Sequence, residues 1–316
     1  MSKTSVDRSE KRVVLFFALL KQRPRSPSRL VLRTPAKVNL ALEVLRKRPD
    51  GYHELSTVLQ AVDLCDRLTV ETADTITLET SEPGLPTDER NLVVRAARML
   101  RDAAGVDRGA RIRLEKRIPL AAGLGGGSSD AAATLWGLNR LWGLRWKRER
   151  LVELAVALGM DVPFFLGRGR ALGTGRGEVL RPLPSVGGYA LVLVNPGVPL
   201  STQEVYGRVP PGWQAEPEGT KRVVEALRTR NVAKLAAALT NHLERWAEPA
   251  MPVIGRMKAA LLAAGTLGAV MSGSGPTVFG MARSLDQAQQ IQRRVNRAGW
   301  AAWAVRTNSG AAIRAI

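Results

Sequence analysis

The stretch that decides the fold reads Pro119-Leu-Ala-Ala-Gly123-Leu-Gly125-Gly126-Gly127-Ser128-Ser129-Asp130-Ala-Ala-Ala133. Four glycines among five residues let backbone N–H groups approach an anion without a Cβ in the way. The predicted helix that follows, residues 128–142, would direct its free N–H groups and positive dipole end at the same point. A flexible linker is the alternative, although linkers do not normally stand between an alternating strand and an alanine-rich helix. The stretch therefore predicts a phosphate-binding loop.

Length and composition indicate a globular protein with room for two domains. The chain has 316 residues, of which 45% are hydrophobic and 24% are charged. The single cysteine, Cys65, excludes an internal disulfide and predicts a reducing compartment, the cytoplasm. Because His53 and His242 are the two histidines, a structural zinc site is not expected, and we predict no metal held by the protein itself.

A formal net charge of +19 is compatible with three kinds of partner. Nucleic acid, an anionic membrane surface and a small polyanionic substrate would each suit a basic protein. The basic residues are spread along the chain, without the repeated aromatic residues that stack on bases. Most of these basic residues are therefore interpreted as solvated surface, and the charge alone does not choose among the three kinds of partner. The resemblance described below implies a small-molecule substrate, and we predict no nucleic acid, no membrane, and a monomer or weak homodimer. A basic nucleic-acid-binding protein remains the alternative class.

Residues 1–29 differ from the rest of the chain. The apolar run at residues 13–20 has basic flanks and weakly resembles a secretion signal, but it lacks a small-residue cleavage site and is too short to span a bilayer. We interpret residues 1–29 as a disordered or dispensable N-terminal extension.

The remaining chain divides into two units, residues 30–185 and 186–316, with a boundary near Gly187 and Gly188. In the first unit, period-two alternation predicts strands at 30–33, 38–45, 58–62, 68–71, 76–80 and 111–115. Helical spacing predicts helices at 91–105 and 147–158 beside that of the loop. In the second unit, the predicted strands are 190–194, 268–271, 278–281 and 301–305, and the helices are 223–227, 232–239, 253–262 and 285–295. Such mixing predicts two α/β or α+β layers that share a cleft.

The common nucleotide-binding signatures do not fit the loop. The pattern G-x-x-x-x-G-K-[ST] needs a lysine where Gly127 stands, and G-x-G-x-x-G fails after Gly125. A second glycine-rich segment, residues 167–177, matches neither pattern and is interpreted as a hairpin or flexible loop.

The loop resembles that of the GHMP kinases, and two further segments match the same family in the same order. They are Thr34-Pro-Ala-Lys37-Val-Asn39-Leu40 and Met271-Ser272-Gly273-Ser274-Gly275-Pro-Thr-Val-Phe-Gly280. The resemblance implies an α+β fold with an N-terminal domain like ribosomal protein S5, a ferredoxin-like C-terminal domain and an active site between them. It also implies ATP as phosphoryl donor, with Mg²⁺ carried by ATP.

The resemblance implies roles for individual residues. Asp161 would accept the proton of the acceptor hydroxyl, and Lys37 would favour the ionised form of Asp161 and offset charge during transfer. The alternatives are that Asp161 caps a short helix before Pro163 and that Lys37 is a surface lysine. The residues implied in ATP binding are Pro119, Leu120, Ala121, Ala122, Gly123, Leu124, Gly125, Gly126, Gly127, Ser128 and Ser129.

Arg48-Pro-Asp50-Gly51-Tyr52-His53-Glu-Leu55 and Gly159-Met-Asp161-Val-Pro-Phe164 are similar to one branch of this family. That branch implies phosphorylation of the C2 hydroxyl of 4-diphosphocytidyl-2-C-methyl-D-erythritol, in the non-mevalonate route to isoprenoid precursors. Tyr52 would stack on the cytosine and His53 would contact its edge. The other implied substrate-binding residues are Asn39, Ser272, Gly273, Ser274 and Gly275. The alternative substrate is another small alcohol, such as homoserine or mevalonate. The alternative for Tyr52 and His53 is that Tyr52 packs on the turn and His53 satisfies a backbone group. The alternative for residues 272–275 is a plain turn between two strands.

Overall fold

A computed structural model describes residues 27–184, 188–296, 298–308 and 310–316 of the chain. The predicted N-terminal extension lies outside these residues except for its last three positions. The predicted domain boundary also falls on undescribed residues, so the two domain ranges stay a prediction.

Within the described residues, the first sheet contains eight strands, built mostly from the first half of the chain. They are β1 (Arg29–Lys47), β2 (His53–Ala73), β3 (Ile76–Thr80), β4 (Gly109–Glu115), β5 (Arg170–Thr174), β6 (Val179–Pro182), β8 (Thr240–Asn241) and β12 (Arg314–Ala315). Its main order is β12-β1-β2-β4-β3, β5 and β6 extend it beside β2, and β8 pairs in parallel with β1. The glycine-rich segment at 167–177 thus contributes to an antiparallel hairpin, as predicted.

Two long strands replace four predicted short ones. The prediction separated 30–33 from 38–45 and 58–62 from 68–71, whereas β1 and β2 are continuous and pair along almost their whole length. Pro35 interrupts the alternation in sequence, but a register shift between Pro35 and Lys37 accommodates it. The prediction was wrong here because an irregularity in pairing conceals strand continuity from the sequence pattern.

The helices described beside the first sheet are α1 (Leu92–Ala104), α2 (Gly126–Leu141), α3 (Arg148–Leu158) and α4 (Val162–Phe165). The helix predicted at 91–105 is confirmed: Asn91, its first predicted residue, caps α1 by accepting from the N–H of Val93, and Gly105, its last, ends it with a left-handed backbone. The buried faces of α1 and α2 pack on the sheet through residues such as Ala97, Leu138 and Val70. This packing fixes α2, and therefore the loop before it, on a rigid support.

The second sheet, in the part of the chain that the structure describes, has four antiparallel strands in the order β11-β7-β10-β9. They are β7 (Ala190–Asn195), β9 (Ala269–Met271), β10 (Val278–Ala282) and β11 (Ala301–Arg306). The helices of this half are α5 (Thr202–Gly207), α6 (Glu218–Thr229), α7 (Val232–Ala238), α8 (Glu244–Ala250), α9 (Val253–Ala263) and α10 (Leu285–Asn296). The predicted strands of this half and the helices predicted at 232–239, 253–262 and 285–295 are confirmed within one residue at each end. The helix predicted at 223–227 is confirmed as α6, which begins earlier, at Glu218. The short helices α5 and α8 were not predicted.

An apolar core joins the two sheets. Leu191 and Leu193 of β7 pack with Val38 and Leu40 of β1, while the intervening Val192 and Val194 pack on the helices behind the second sheet. Burial of both faces explains why β7 is a continuous apolar run. The α+β architecture is as predicted, and the shared core places both halves around one cleft. In the described part of the chain, no helix is long and apolar enough to cross a membrane.

Candidate active site

A cleft of about 1230 Å³ lies between the two halves. Its walls come from β1, the glycine loop, the turn before β2, the segment around α5 and the β9–β10 connection. Pockets for one small ligand usually span about 300 to 1000 Å³, so this volume suits two ligands side by side.

The glycine loop forms one wall of the cleft and leads into α2. Gly125 takes a left-handed conformation as the N-cap, and α2 begins at Gly126, two residues before the predicted start. Helix N-termini carry N–H groups without intrahelical partners, and here they lie at the cleft wall. The loop therefore presents backbone donors to an anion, as its sequence predicts.

Most but not all of the predicted loop residues face the cleft. Residues 119–123 and 125–128 line it, whereas Leu124 is buried and its carbonyl accepts from the N–H of Lys37 at 2.9 Å. Ser129 is also fully buried, and its hydroxyl has no hydrogen-bond partner within the described residues. Ser128 is thus the loop hydroxyl available to a ligand, and Ser129 lies behind it.

Lys37 and Asp161 meet at the cleft although they are far apart in sequence. Lys37 Nζ lies 3.5 Å from Asp161 Oδ2 and donates to Asn39 Oδ1 at 2.8 Å. The Lys37 side chain is 5% exposed, so it is a buried cation and the surface-lysine alternative is wrong. The Asp161 side chain is 36% exposed and remains open to the cleft.

Thr57 orients the Asn39 amide toward Lys37. The Thr57 hydroxyl donates to the carbonyl of Ala41 at 2.7 Å, so it accepts from Asn39 Nδ2 at 2.8 Å. This arrangement leaves Asn39 Oδ1 facing the ammonium of Lys37. Asn39 therefore positions the lysine, in addition to lining the cleft.

The alternative role of Asp161 as a helix cap is not what the structure shows. Asp161 occupies the N-cap position of α4, but its side chain makes no capping hydrogen bond. Its carboxylate is directed to Lys37 instead.

Aromatic side chains line the cleft on the side of the Arg48 turn. Tyr52 is 54% exposed, and the Arg176 guanidinium lies 4.9 Å from its ring centroid. The His53 ring contacts that of Tyr206 in α5, with centroids 5.4 Å apart. Burial and the charge of Lys47 lower the pKa of His53, while burial and the charge of Asp161 raise the pKa of Tyr206. The His53 imidazole is thus neutral at neutral pH and available to accept or donate one hydrogen bond.

The connection between β9 and β10 packs against the glycine loop. Ser272 Oγ donates to the carbonyl of Gly123 at 3.0 Å, and a Cβ on Gly123 would stand 2.2 Å from the Ser272 carbonyl oxygen. Gly273 and Ser274 line the cleft, whereas Ser272 and Gly275 are turned to the glycine loop. The segment is a strand-to-strand turn, as the alternative held, and it also forms part of the cleft.

Sequence reasoning missed several residues of this region. Asn241 Nδ2 donates to the carbonyls of Met271 and Gly273, both at 2.8 Å, and so fixes the β9–β10 turn. Tyr206 and Arg176 lie in segments with no recognisable motif. Lys116, which lines the cleft, follows β4 at the parity of the buried Ile112 and Leu114 and not of the exposed Arg111 and Arg113, so the alternation of the strand could have signalled its burial.

Asp130, whose role the sequence left open, is a buried carboxylate behind the loop. It accepts from Thr34 Oγ1 at 2.6 Å and from Lys116 Nζ at 2.9 Å. Burial, reinforced by the charge of Asp66 and opposed by that of Lys116, raises the pKa of Asp130 to about 6.

Lowering the pH from 7 to 5 is expected to favour the folded protein through Asp130. Because the folded pKa of about 6 exceeds the ordinary value of 3.8, the folded state binds more protons in this range. Asp130→Asn removes this titration. In urea unfolding, the free energy of unfolding of wild type relative to Asp130→Asn should rise by about 1 kcal/mol from pH 7 to pH 5. If the difference in free energy of unfolding between wild type and Asp130→Asn does not change with pH, the raised pKa of Asp130 is contradicted.

Comparison with known proteins agrees with this architecture. The models for the GHMP kinases N terminal domain and the GHMP kinases C terminal match residues 91–169 and 223–301. The chain belongs to the GHMP kinase family. It is similar to the 4-diphosphocytidyl-2-C-methyl-D-erythritol kinase of Pelotomaculum thermopropionicum, with 47% identity over 83% of this chain and 92% of the relative. The kinase of the same name from Symbiobacterium thermophilum is 46% identical over 86% of this chain and 97% of the relative.

Solved structures show the same relationship. The crystal structure of a 4-(cytidine 5'-diphospho)-2C-methyl-D-erythritol kinase matches with a TM-score of 0.77 and 39% identity, over 89% of this chain and all of the other. A homoserine kinase from Cytophaga hutchinsonii matches with a TM-score of 0.74 and 21% identity, over 93% of this chain and 99% of the other. The second likeness shows the shared fold alone.

Proposed function

We propose that this chain transfers the γ-phosphoryl group of ATP to the C2 hydroxyl of 4-diphosphocytidyl-2-C-methyl-D-erythritol, in the non-mevalonate route to isoprenoid precursors. The observation that carries the proposal is the Lys37–Asp161 pair, which lies in one cleft with the glycine loop and the aromatic group around Tyr52. Relatives that are named for this activity and are 39% and 47% identical to the chain support the choice of acceptor.

In this mechanism, Asp161 takes the proton of the acceptor hydroxyl while the oxygen of that hydroxyl attacks the γ-phosphorus of ATP. The O–H bond breaks, the new O–P bond forms and ADP leaves. Lys37 is held by Asn39 and stabilises both the carboxylate and the charge that develops on the transferred group. Because Asp161 is open to the cleft and Lys37 is buried, the base reaches substrate while the cation stays fixed.

The glycine loop and Ser128 are suited to hold the phosphates of ATP. A Cβ on Gly125 would stand 3.1 Å from both Lys37 Cγ and Phe165 Cζ, so a side chain at this position would press on Lys37 and Phe165. Within the described residues, no three His, Cys, Asp or Glu side chains cluster as a metal site. Mg²⁺ would therefore be held mainly by the phosphates, with Ser128 nearby, and would offset their charge.

A coupled ADP-release assay with MgATP tests the proposal. The cytidyl compound, mevalonate and homoserine are offered as separate acceptors, and ADP release is expected with the cytidyl compound. Phosphorylation of mevalonate or homoserine, but not of the cytidyl compound, would overturn the assignment of the acceptor. Specific RNA binding together with full activity of an Asp161 variant would overturn the proposed chemistry.

Tyr52→Ala is expected to raise the KM for the cytidyl acceptor by about tenfold, because stacking on a base contributes about 1–3 kcal/mol. The kcat and the KM for ATP should change little, since Tyr52 belongs to the turn before β2 and not to the glycine loop. Steady-state kinetics with each substrate varied in turn measure the effect. Tyr52→Phe serves as the matched control and should keep a KM near that of wild type. An unchanged acceptor KM in Tyr52→Ala would contradict the stacking role.

A further inference from the structure

A buried ammonium group lies at the base of the glycine loop. Lys116 follows β4 directly, and its side chain is 4% exposed. Its Nζ contacts the carboxylate of Asp66 and lies 2.9 Å from Asp130 Oδ2. Both carboxylates are almost fully buried, so this cluster is shielded from water. Lys116 is therefore committed to two protein carboxylates, unlike a lysine that is free to bind phosphate.

The two carboxylates hold opposite ends of the loop. Asp66 Oδ1 accepts from the backbone N–H of Ile118 at 2.8 Å and from that of Arg117, where the chain enters the loop. Asp130 belongs to α2, where the chain leaves the loop, and Thr34 of β1 donates to its other oxygen. One ammonium thus connects the entry and the exit of the loop.

Lys116 also approaches the part of the loop that carries the free helix N–H groups. A Cβ on Gly126 would stand 3.3 Å from Lys116 Nζ and 3.0 Å from Ile118 Cγ2. The Lys116 side chain therefore supports the backbone at the first residue of α2. Burial opposes the charge on Lys116, yet the charges of Asp130 and Asp66 outweigh it and raise the pKa of Lys116, so the ammonium persists at neutral pH.

We propose that Lys116 is a positioning residue for ATP: by bridging Asp66 and Asp130 it holds the two ends of the glycine loop in the spacing that aims the loop N–H groups at the phosphates. The inference rests on the proposed kinase function. The glycine loop has Gly127 where the G-x-x-x-x-G-K-[ST] pattern has a lysine that contacts phosphate. Lys116 would instead support ATP binding through the backbone of the loop, without contact with the nucleotide. Small displacements of positioning groups cost up to about a hundredfold in rate, so such a support has a measurable effect.

The experiment compares Lys116→Met with wild type in two measurements that require no acceptor. Calorimetry gives the Kd for MgATP, and hydrogen–deuterium exchange without nucleotide gives the protection of the loop amides. Lys116→Met is expected to bind MgATP about tenfold more weakly and to exchange its loop amides faster. Lys221→Met is the matched control, because it removes an exposed lysine on α6 that pairs with Glu218, and it should match wild type in both measurements.

Asp130→Asn keeps the proposal testable if Lys116→Met does not fold. Its amide preserves size and removes one of the two carboxylates, so weaker MgATP binding and faster loop exchange are expected, each a few-fold. A folded Lys116→Met with wild-type affinity and loop exchange would overturn the proposal. So would weaker affinity with unchanged exchange in the nucleotide-free protein, since that result means direct contact with phosphate. If neither measurement changes in Asp130→Asn, the proposal also fails.

The two proposals can fail separately. If wild type binds MgATP but does not phosphorylate the cytidyl compound, the acceptor assignment fails. The role of Lys116 would then still be decided by affinity and exchange alone.

Discussion

Asp161→Asn is expected to lower kcat for the cytidyl acceptor by about a thousandfold, which is within the usual contribution of a general base. The amide keeps the size of the side chain but cannot take the hydroxyl proton. The Kd for MgATP should stay within a few-fold of wild type, because Asp161 lies beside Lys37 and not in the glycine loop. Single-turnover rates and calorimetry measure the two quantities independently.

Asp107→Asn provides the control for this change. Asp107 is exposed between α1 and β4 and does not line the cleft, so the same removal of one charge should leave kcat unaltered. An equal loss of kcat and of MgATP affinity in Asp161→Asn would contradict the assignment. A kcat near that of wild type would exclude Asp161 as the base.

Gly123→Ala is expected to be the most damaging single change in the loop. Gly123 has a φ of 72°, and a Cβ there would stand 2.2 Å from the carbonyl oxygen of Ser272 and 2.9 Å from that of Gly275. Both neighbours are backbone atoms, so the loop and the β9–β10 turn must separate. We expect a loss of about 3 kcal/mol in the free energy of unfolding, from overpacking and the left-handed backbone together, and much weaker MgATP binding.

Gly127→Ala is the matched comparison within the same loop. Its Cβ would meet nothing nearer than Leu92 Cδ1 at 3.8 Å, and the residue lies inside α2, where alanine is more stable than glycine by about 1 kcal/mol. Urea unfolding should therefore show Gly127→Ala to be at least as stable as wild type. Equal stabilities of the two variants would mean that the loop does not depend on its contact with the β9–β10 turn.

Sequence patterns predicted the helices and strands that are determined by interactions between neighbouring residues. The helix predicted at 91–105, with Asn91 and Gly105 at its ends, and the strand predicted at 190–194 follow from neighbouring residues alone, and the structure has them where expected. The Lys37–Asp161 pair was implied only through the family resemblance, because two residues on β1 and before α4 come together through tertiary packing. Their catalytic roles stay a prediction until variants are measured.

The contacts of Lys116 and Tyr206 were missed because their partners lie on other elements of the fold. Lys116 continues the buried face of β4, which the alternation of the strand could have shown, but its partners Asp66 and Asp130 come from other elements and appear beside it only in the structure. Tyr206 lies on the six-residue α5, whose position depends on the second half of the chain. No spacing in the sequence encodes such contacts, since each partner comes from a different element.

The short strand β8 has a consequence for how the protein is made. Thr240 and Asn241 pair with Ala41 and Leu42 on β1, close to the strand positions that carry Lys37 and Asn39, and Asn241 also fixes the β9–β10 turn. A ribosome must therefore deliver the chain past residue 241 before the β1 segment beside Lys37 gains its last neighbour. Two halves that look separable in sequence should thus mature as one cooperative unit, and an isolated first half would expose an unpaired strand edge to aggregation.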